Sequence, residues 1–130
     1  MIVIDASALI EALLRMPAAD AVEQWLFDPE QAVHAPHLLD IEVAQVVRRF
    51  AAGGEITAET GRIALTDLAD LRLFRHPHDV LLPRVWDLRN DLTAYDAVYV
   101  ALAEALDAPL VTRDRRLAAA SGHRARIELI

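Results

Sequence analysis

Asp5, Glu42, Asp96 and Asp114 lie far apart in the chain, yet each stands where an apolar run ends or on the border of an amphipathic one. Asp5 closes Ile2-Val3-Ile4, and Asp114 comes just after Pro109-Leu110-Val111-Thr112. Both runs are short, apolar and rich in β-branched residues, as in strands buried on both faces of a parallel sheet. Open α/β sheets bind ligands beyond the carboxyl ends of their strands, so folding would gather these acids there. Carboxylates brought together without a lysine repel one another unless a hard, oxygen-preferring divalent cation sits between them. Such an ion lowers the pKa of bound water, so the chemistry to expect is that of a divalent-metal site.

Each acid also has a local explanation. Asp5 could cap the helix that follows, although Ser7 is available for that purpose. Glu42 borders the apolar stripe Leu39, Val43, Val46, Val47 and Phe50, and Asp40 lies equally close on its other side, so periodicity leaves the two open. Asp96 stands three residues after Thr93, a relative of the capping box, ahead of an apolar helix with Tyr95, Tyr99, Leu102 and Leu106 on one face. Asp114 could cap a short final helix. Four independent caps would not be expected to surround one edge of one sheet, and the conjunction favours a shared site.

The elements that must position these residues alternate between strand and helix. Residues 2–4 read as the first strand, and Ser7 caps a helix to about Leu14. A second helix spans about Ala18 to Phe27, and 32–35 form a strand punctuated by Pro36. A long helix follows from about Leu38 to Ala52 and stops at Gly53-Gly54. Thr57 caps a helix to about Asp70, 71–74 form the third strand, and His76-Pro77-His78 is a turn. A helix runs from about Val80 to Leu92 with Pro83 in its first turn, and Thr93 caps the next, Ala94 to Leu106. A strand ends at Thr112, a short helix covers 115–120, and 126–130 form the last strand. The pattern predicts one three-layer α/β domain over 1–130, with a mostly parallel central sheet of about five strands flanked by helices.

Composition sets the limits. The 130 residues are 55% hydrophobic, enough for a single sizeable core. With no cysteine there is no disulfide framework or thiolate zinc site, which predicts a cytoplasmic protein. No stretch reaches the length of a membrane span, and Met1-Ile2-Val3-Ile4-Asp5 lacks a basic leader region. A net charge of −7 opposes unspecific attraction to nucleic acid, so a nucleic-acid substrate needs local help. All thirteen basic residues are arginine, and several stand beside the acids: Arg48 and Arg49 after Glu42, and Arg113, Arg115 and Arg116 around Asp114. Of these, Arg113 and Arg115 are the candidates for phosphate contacts. The histidine-rich turn His76-Pro77-His78-Asp79 is read as a turn rather than a zinc site.

In order and spacing, MIVIDASALI, the glutamate of LLDIEVAQVV, LTAYDAVYVALA and PLVTRDRRL resemble the PIN-domain ribonucleases, especially the toxin subunits of VapBC-type toxin–antitoxin pairs. The resemblance spans nearly the whole chain and selects Glu42 over Asp40. It implies that Asp5, Glu42, Asp96 and Asp114 are catalytic and hold Mg²⁺ or Mn²⁺, with Ser7 and Thr112 as supporting hydroxyls. It further implies an RNA substrate, a cognate antitoxin that inserts into the acidic groove, and a homodimer or toxin–antitoxin hetero-oligomer. Asp40 departs from the pattern as an extra acid beside the glutamate. A phosphoacceptor receiver would need a lysine that this chain lacks, and a haloacid-dehalogenase phosphatase an aspartate where Ser7 stands. The remaining alternative is a PIN-like module that has lost catalysis and only binds a partner.

Overall fold

The computed structural model describes residues 1–130. Five strands form one sheet: β1 (Ile2–Ile4), β2 (Val33–Pro36), β3 (Leu73–His76), β4 (Leu110–Thr112) and β5 (Ile127–Leu129). Their order is β3-β2-β1-β4-β5 and every pairing is parallel, so the sheet is wholly rather than mostly parallel. Register aligns Val3 with His34 on one side and with Leu110 on the other. β1 and β4 are entirely buried, which is why their sequences read as unbroken apolar runs.

The crossovers from β1 through β2 to β3 move outward on one side of β1, and those to β4 and β5 move outward on the other. Right-handed connections therefore assign the intervening helices to opposite faces of the sheet. The first layer comprises α1 (Ala6–Leu13), α2 (Ala19–Leu26), α3 (Leu38–Ala52) and α4 (Ala58–Asp70), which pack on one another. The second is built on α5 (Leu82–Asp87) and α6 (Ala94–Leu106), followed by the short α7 (Arg115–Ala119). The chain reverses its outward course at β1, the place where an α/β sheet opens a crevice for a ligand.

The seven consecutive residues Ala97 to Ala103 of α6 are all buried, so this helix carries apolar residues on every side. It packs against β1, β2 and α5 within a core of 29 buried residues. Truncating a fully enclosed member such as Leu110 to alanine would cost about 2–5 kcal/mol. Gly61 lets α4 approach α3, because a Cβ there would sit 3.0 Å from a Val47 methyl.

Several local expectations change. Asp5, not Ser7, caps α1: its Oδ1 accepts from the Ala8 amide at 2.9 Å, and the Ser7 hydroxyl donates to the same oxygen. β3 begins at Leu73 rather than 71, because the Leu71 amide still closes α4 onto Asp67. His76 consequently belongs to β3, where its Nε2 lies 2.8 Å from Nδ1 of His34 on β2. The helix expected over 80–92 is a 3-10 turn at Asp79–Leu81 followed by α5, which ends at Asp87.

Candidate active site

Four crossovers deliver the four acids to one place. Asp5 leaves β1 as the N-cap of α1, Glu42 lies in the second turn of α3, Asp96 in the first turn of α6, and Asp114 is the N-cap of α7 after β4. All four line a single cleft of about 560 Å³ beyond the carboxyl ends of β1 and β4. Asp40 does not: its carboxylate is bound by Arg75 of β3, with Nε 2.8 Å from Oδ2. The extra acid beside Glu42 is therefore neutralised outside the cleft.

Asp5 is the most enclosed of the four, only 5% exposed. Its carboxylate takes three hydrogen bonds, from Ser7 Oγ at 2.7 Å, from the Ala8 amide and from Thr112 Oγ1. Thr112 Oγ1 in turn accepts from the Asp114 amide at 2.9 Å, and Ser7 Oγ accepts from the Arg113 amide at 2.9 Å. The two hydroxyls thus tie the end of β1 to the end of β4. Asp114 accepts from the Arg116 and Leu117 amides, so capping and membership of the cleft coincide in one carboxylate. Glu42 receives the phenol proton of Tyr99, which donates to Oε1 at 2.6 Å. Tyr99 is 2% exposed, and the periodicity of α6 had suggested nothing for it beyond the core.

Electrostatics follow from this crowding. Burial raises the Asp5 carboxyl above its ordinary value; the bonds from Thr112, Ser7 and Ala8 oppose the rise and the charge of Asp96 adds to it. Burial also raises Glu42, opposed by Tyr99 and reinforced by Asp96 and Asp5. Asp96 is raised by burial and then by Asp114, with Thr93 and Arg116 pulling the other way. The Tyr99 phenol is driven far above its usual range, first by burial and then by Glu42. It is a fixed donor.

The donor set is oxygen throughout, the chemistry preferred by Mg²⁺ and Mn²⁺. In this structure no three His, Cys, Asp or Glu side chains stand close enough together to enclose an ion. The four acids share a cleft as separate arms, and the fit to a hard cation lies in their chemistry and crowding.

The arginines rearrange the expectations most. Arg113 is turned away from the cleft, with its guanidinium on Glu11 at 3.3 Å and on the Ile130 carbonyl at 2.7 Å. Arg115 is exposed and does not line the cleft. The cation that does line it is Arg49 of α3, on the same helical face as Gln45 and Ile41. Tyr95, expected on the apolar face of α6, is 64% exposed at the cleft instead. Helical spacing from Glu42 was the available signal for Arg49, because i+7 returns to the same side of the helix.

Residues 2–122 match the PIN domain family. Over 129 residues the chain is 46% identical to ribonuclease VapC1 of Mycobacterium tuberculosis, covering 98% of this chain and 96% of that protein. It is 40% identical to ribonuclease VapC12 of the same species over 130 residues, covering 100% and 99%. Its fold superposes on the structure of VapBC2 from Rickettsia felis bound to a DNA fragment from their promoter, with a TM-score of 0.74 and 15% identity, covering 100% of this chain and 99% of that one.

Proposed function

The chain belongs to the PIN domain family, and from that premise we propose that it is an endoribonuclease that hydrolyses RNA phosphodiester bonds in the acidic cleft, as the toxin of a toxin–antitoxin pair. The observation that carries this is the delivery of Asp5, Glu42, Asp96 and Asp114, from four crossovers, to one cleft at the reversal point of the sheet. Since all four acids are present and gathered, catalysis is favoured over a module that only binds a partner.

The four carboxylates would hold Mg²⁺ or Mn²⁺, directly or through water. When bound, the ion supplies Lewis acidity toward a phosphoryl oxygen and a water of lowered pKa. Every other contribution is the chain's own. Ser7 and Thr112 fix the Asp5 carboxylate by direct hydrogen bonds, so its orientation does not depend on substrate. Arg49 is placed to receive a phosphate through charge-assisted hydrogen bonds in a cleft otherwise repulsive to RNA. Tyr95 and Ile41 offer apolar surface to an unpaired base.

The same cleft suits an antitoxin that inserts a cationic side chain among the acids. Exposed Val80, Leu82 and Trp86 give the α5 layer an apolar face suited to a homodimer or hetero-oligomer. No helix is long and apolar enough to cross a membrane. We place the protein in the cytoplasm, where an RNA substrate is found and its lack of cysteine is unremarkable.

The test is cleavage of an RNA oligonucleotide by purified protein in chelator, in Mg²⁺ and in Mn²⁺, with Asp96→Asn as control. Activity that requires a divalent ion and disappears in the variant supports the reading. Undiminished cleavage by a folded Asp96→Asn protein would sink it.

A further inference from the structure

Glu42 and Tyr99 sit on helices in different layers, and their hydrogen bond is a direct tie between α3 and α6 at the cleft. Tyr99 lies three residues after Asp96, so one face of α6 presents both an acid to the cleft and a donor to the acid opposite. Its ring is held by the core and its hydroxyl has no second partner. A rigid donor therefore grips a flexible acceptor, because a glutamate on a helix border has three rotatable bonds and samples many rotamers when free.

We propose that Tyr99 is a positioning residue that acts through Glu42: by binding Oε1 it fixes the carboxylate so that Oε2, which accepts no hydrogen bond from the protein, faces the cleft as a preset ligand for a divalent cation. This rests on the metal-dependent reading of the site. The arrangement parallels the support of Asp5 by Ser7 and Thr112, with a buried phenol in place of two hydroxyls. Partners of this kind orient metal ligands and typically contribute 10–100-fold to metal affinity.

The test is Mn²⁺ binding, followed by the loss of the free-ion paramagnetic resonance signal, for wild type, Tyr99→Phe, Glu42→Gln and the double variant. Tyr99→Phe keeps the ring and removes only the hydroxyl. It should weaken Mn²⁺ binding about tenfold. Added to Glu42→Gln it should change the affinity no further, because the group through which it acts has already been altered. Nuclease activity lost in Tyr99→Phe should return when Mn²⁺ is raised about tenfold, which damage to the fold would not allow. Wild-type affinity in Tyr99→Phe, or an equal loss with and without Glu42, overturns the proposal while leaving the ribonuclease reading intact. Absence of Mn²⁺ binding by the wild type itself overturns the metal reading together with this one, and is recognised by four flat titrations.

Discussion

Arg75 holds Asp40 out of the cleft: its Nε stands 2.8 Å from one carboxylate oxygen and 3.1 Å from the other, and its Nη2 donates to the Leu68 carbonyl. Two acids that periodicity could not separate are thereby given different work by a strand that neither belongs to. Asp40→Asn should leave RNA cleavage within about twofold of wild type, whereas Glu42→Gln should lower it at least about a hundredfold, as expected on losing a charged metal ligand. Initial rates in saturating Mg²⁺ decide this, and the reverse ranking would reassign the site.

Burial and the charge of Asp114 raise the Asp96 carboxyl, and only Thr93 and Arg116 oppose them. Its charge should therefore destabilise the ion-free fold, by on the order of 1 kcal/mol for like charges several ångströms apart near a protein surface. In chelator, Asp96→Asn should melt about 3 °C above wild type. Asp5→Asn should not, because it disturbs three donors that already satisfy that carboxylate. Mg²⁺ at a hundredfold excess over its Kd should stabilise the wild type by about 2.7 kcal/mol and Asp96→Asn far less. Superimposable melting curves for all three proteins with and without Mg²⁺ would mean that the acids do not share an ion.

Arg49 takes the place in the cleft expected of Arg113. Arg113 pairs with Glu11 and the Ile130 carbonyl, whereas Arg49 lines the cleft. Arg49→Ala should raise KM for RNA about tenfold, the equivalent of one charged hydrogen bond, with the melting temperature little changed. Arg113→Ala should cost roughly 1 kcal/mol of stability and leave KM alone. Steady-state kinetics beside denaturant melts would expose the opposite pattern.

Away from the cleft, Arg84 forms a two-pronged pair with Glu104, whose side chain is 2% exposed. The Arg84 bonds hold the Glu104 carboxyl below its ordinary 4.5, against the opposing effect of burial. A carboxyl depressed on folding contributes stability that is complete above its unfolded pKa and is lost as pH falls through its lower folded value. Glu104→Gln should thus destabilise the protein by roughly 1–3 kcal/mol at neutral pH and flatten the stability curve below about pH 4.5. Urea melts across pH 3 to 7 provide the check, and parallel curves for the two proteins would contradict the pairing.

Where local signals and tertiary demands agreed, the chain could be read directly. The long apolar-faced α3, stopped by a glycine pair, and α6, started by Thr93, fall at their expected boundaries. β3 was displaced because it is an edge strand carrying Arg75 and His76, so its sequence lacks the apolar signature of β1 and β4. Three of the cleft's four acids were legible because each lies beside a strong apolar element, whereas Glu42 was separated from Asp40 only by the family resemblance. The bonds that orient the acids were not legible: Tyr99 to Glu42 and Thr112 to Asp5 join residues remote in sequence, and a buried tyrosine or threonine next to apolar neighbours reads as ordinary packing. The same holds for Arg49 and Arg113, whose directions depend on contacts that spacing alone does not encode.

The separation of the four acids among four crossovers also sets a clock on the ribosome. A polypeptide emerges amino end first at roughly 5–20 residues per second, so Asp114 follows Asp5 by on the order of ten seconds. Throughout that interval β4 is missing from its place beside β1, and Asp5 lacks the Thr112 hydroxyl that steadies it. Until Thr112 and Asp114 have emerged, the cleft therefore lacks both its fourth acid and the hydroxyl that steadies the first, and it cannot be assembled on a partly made chain.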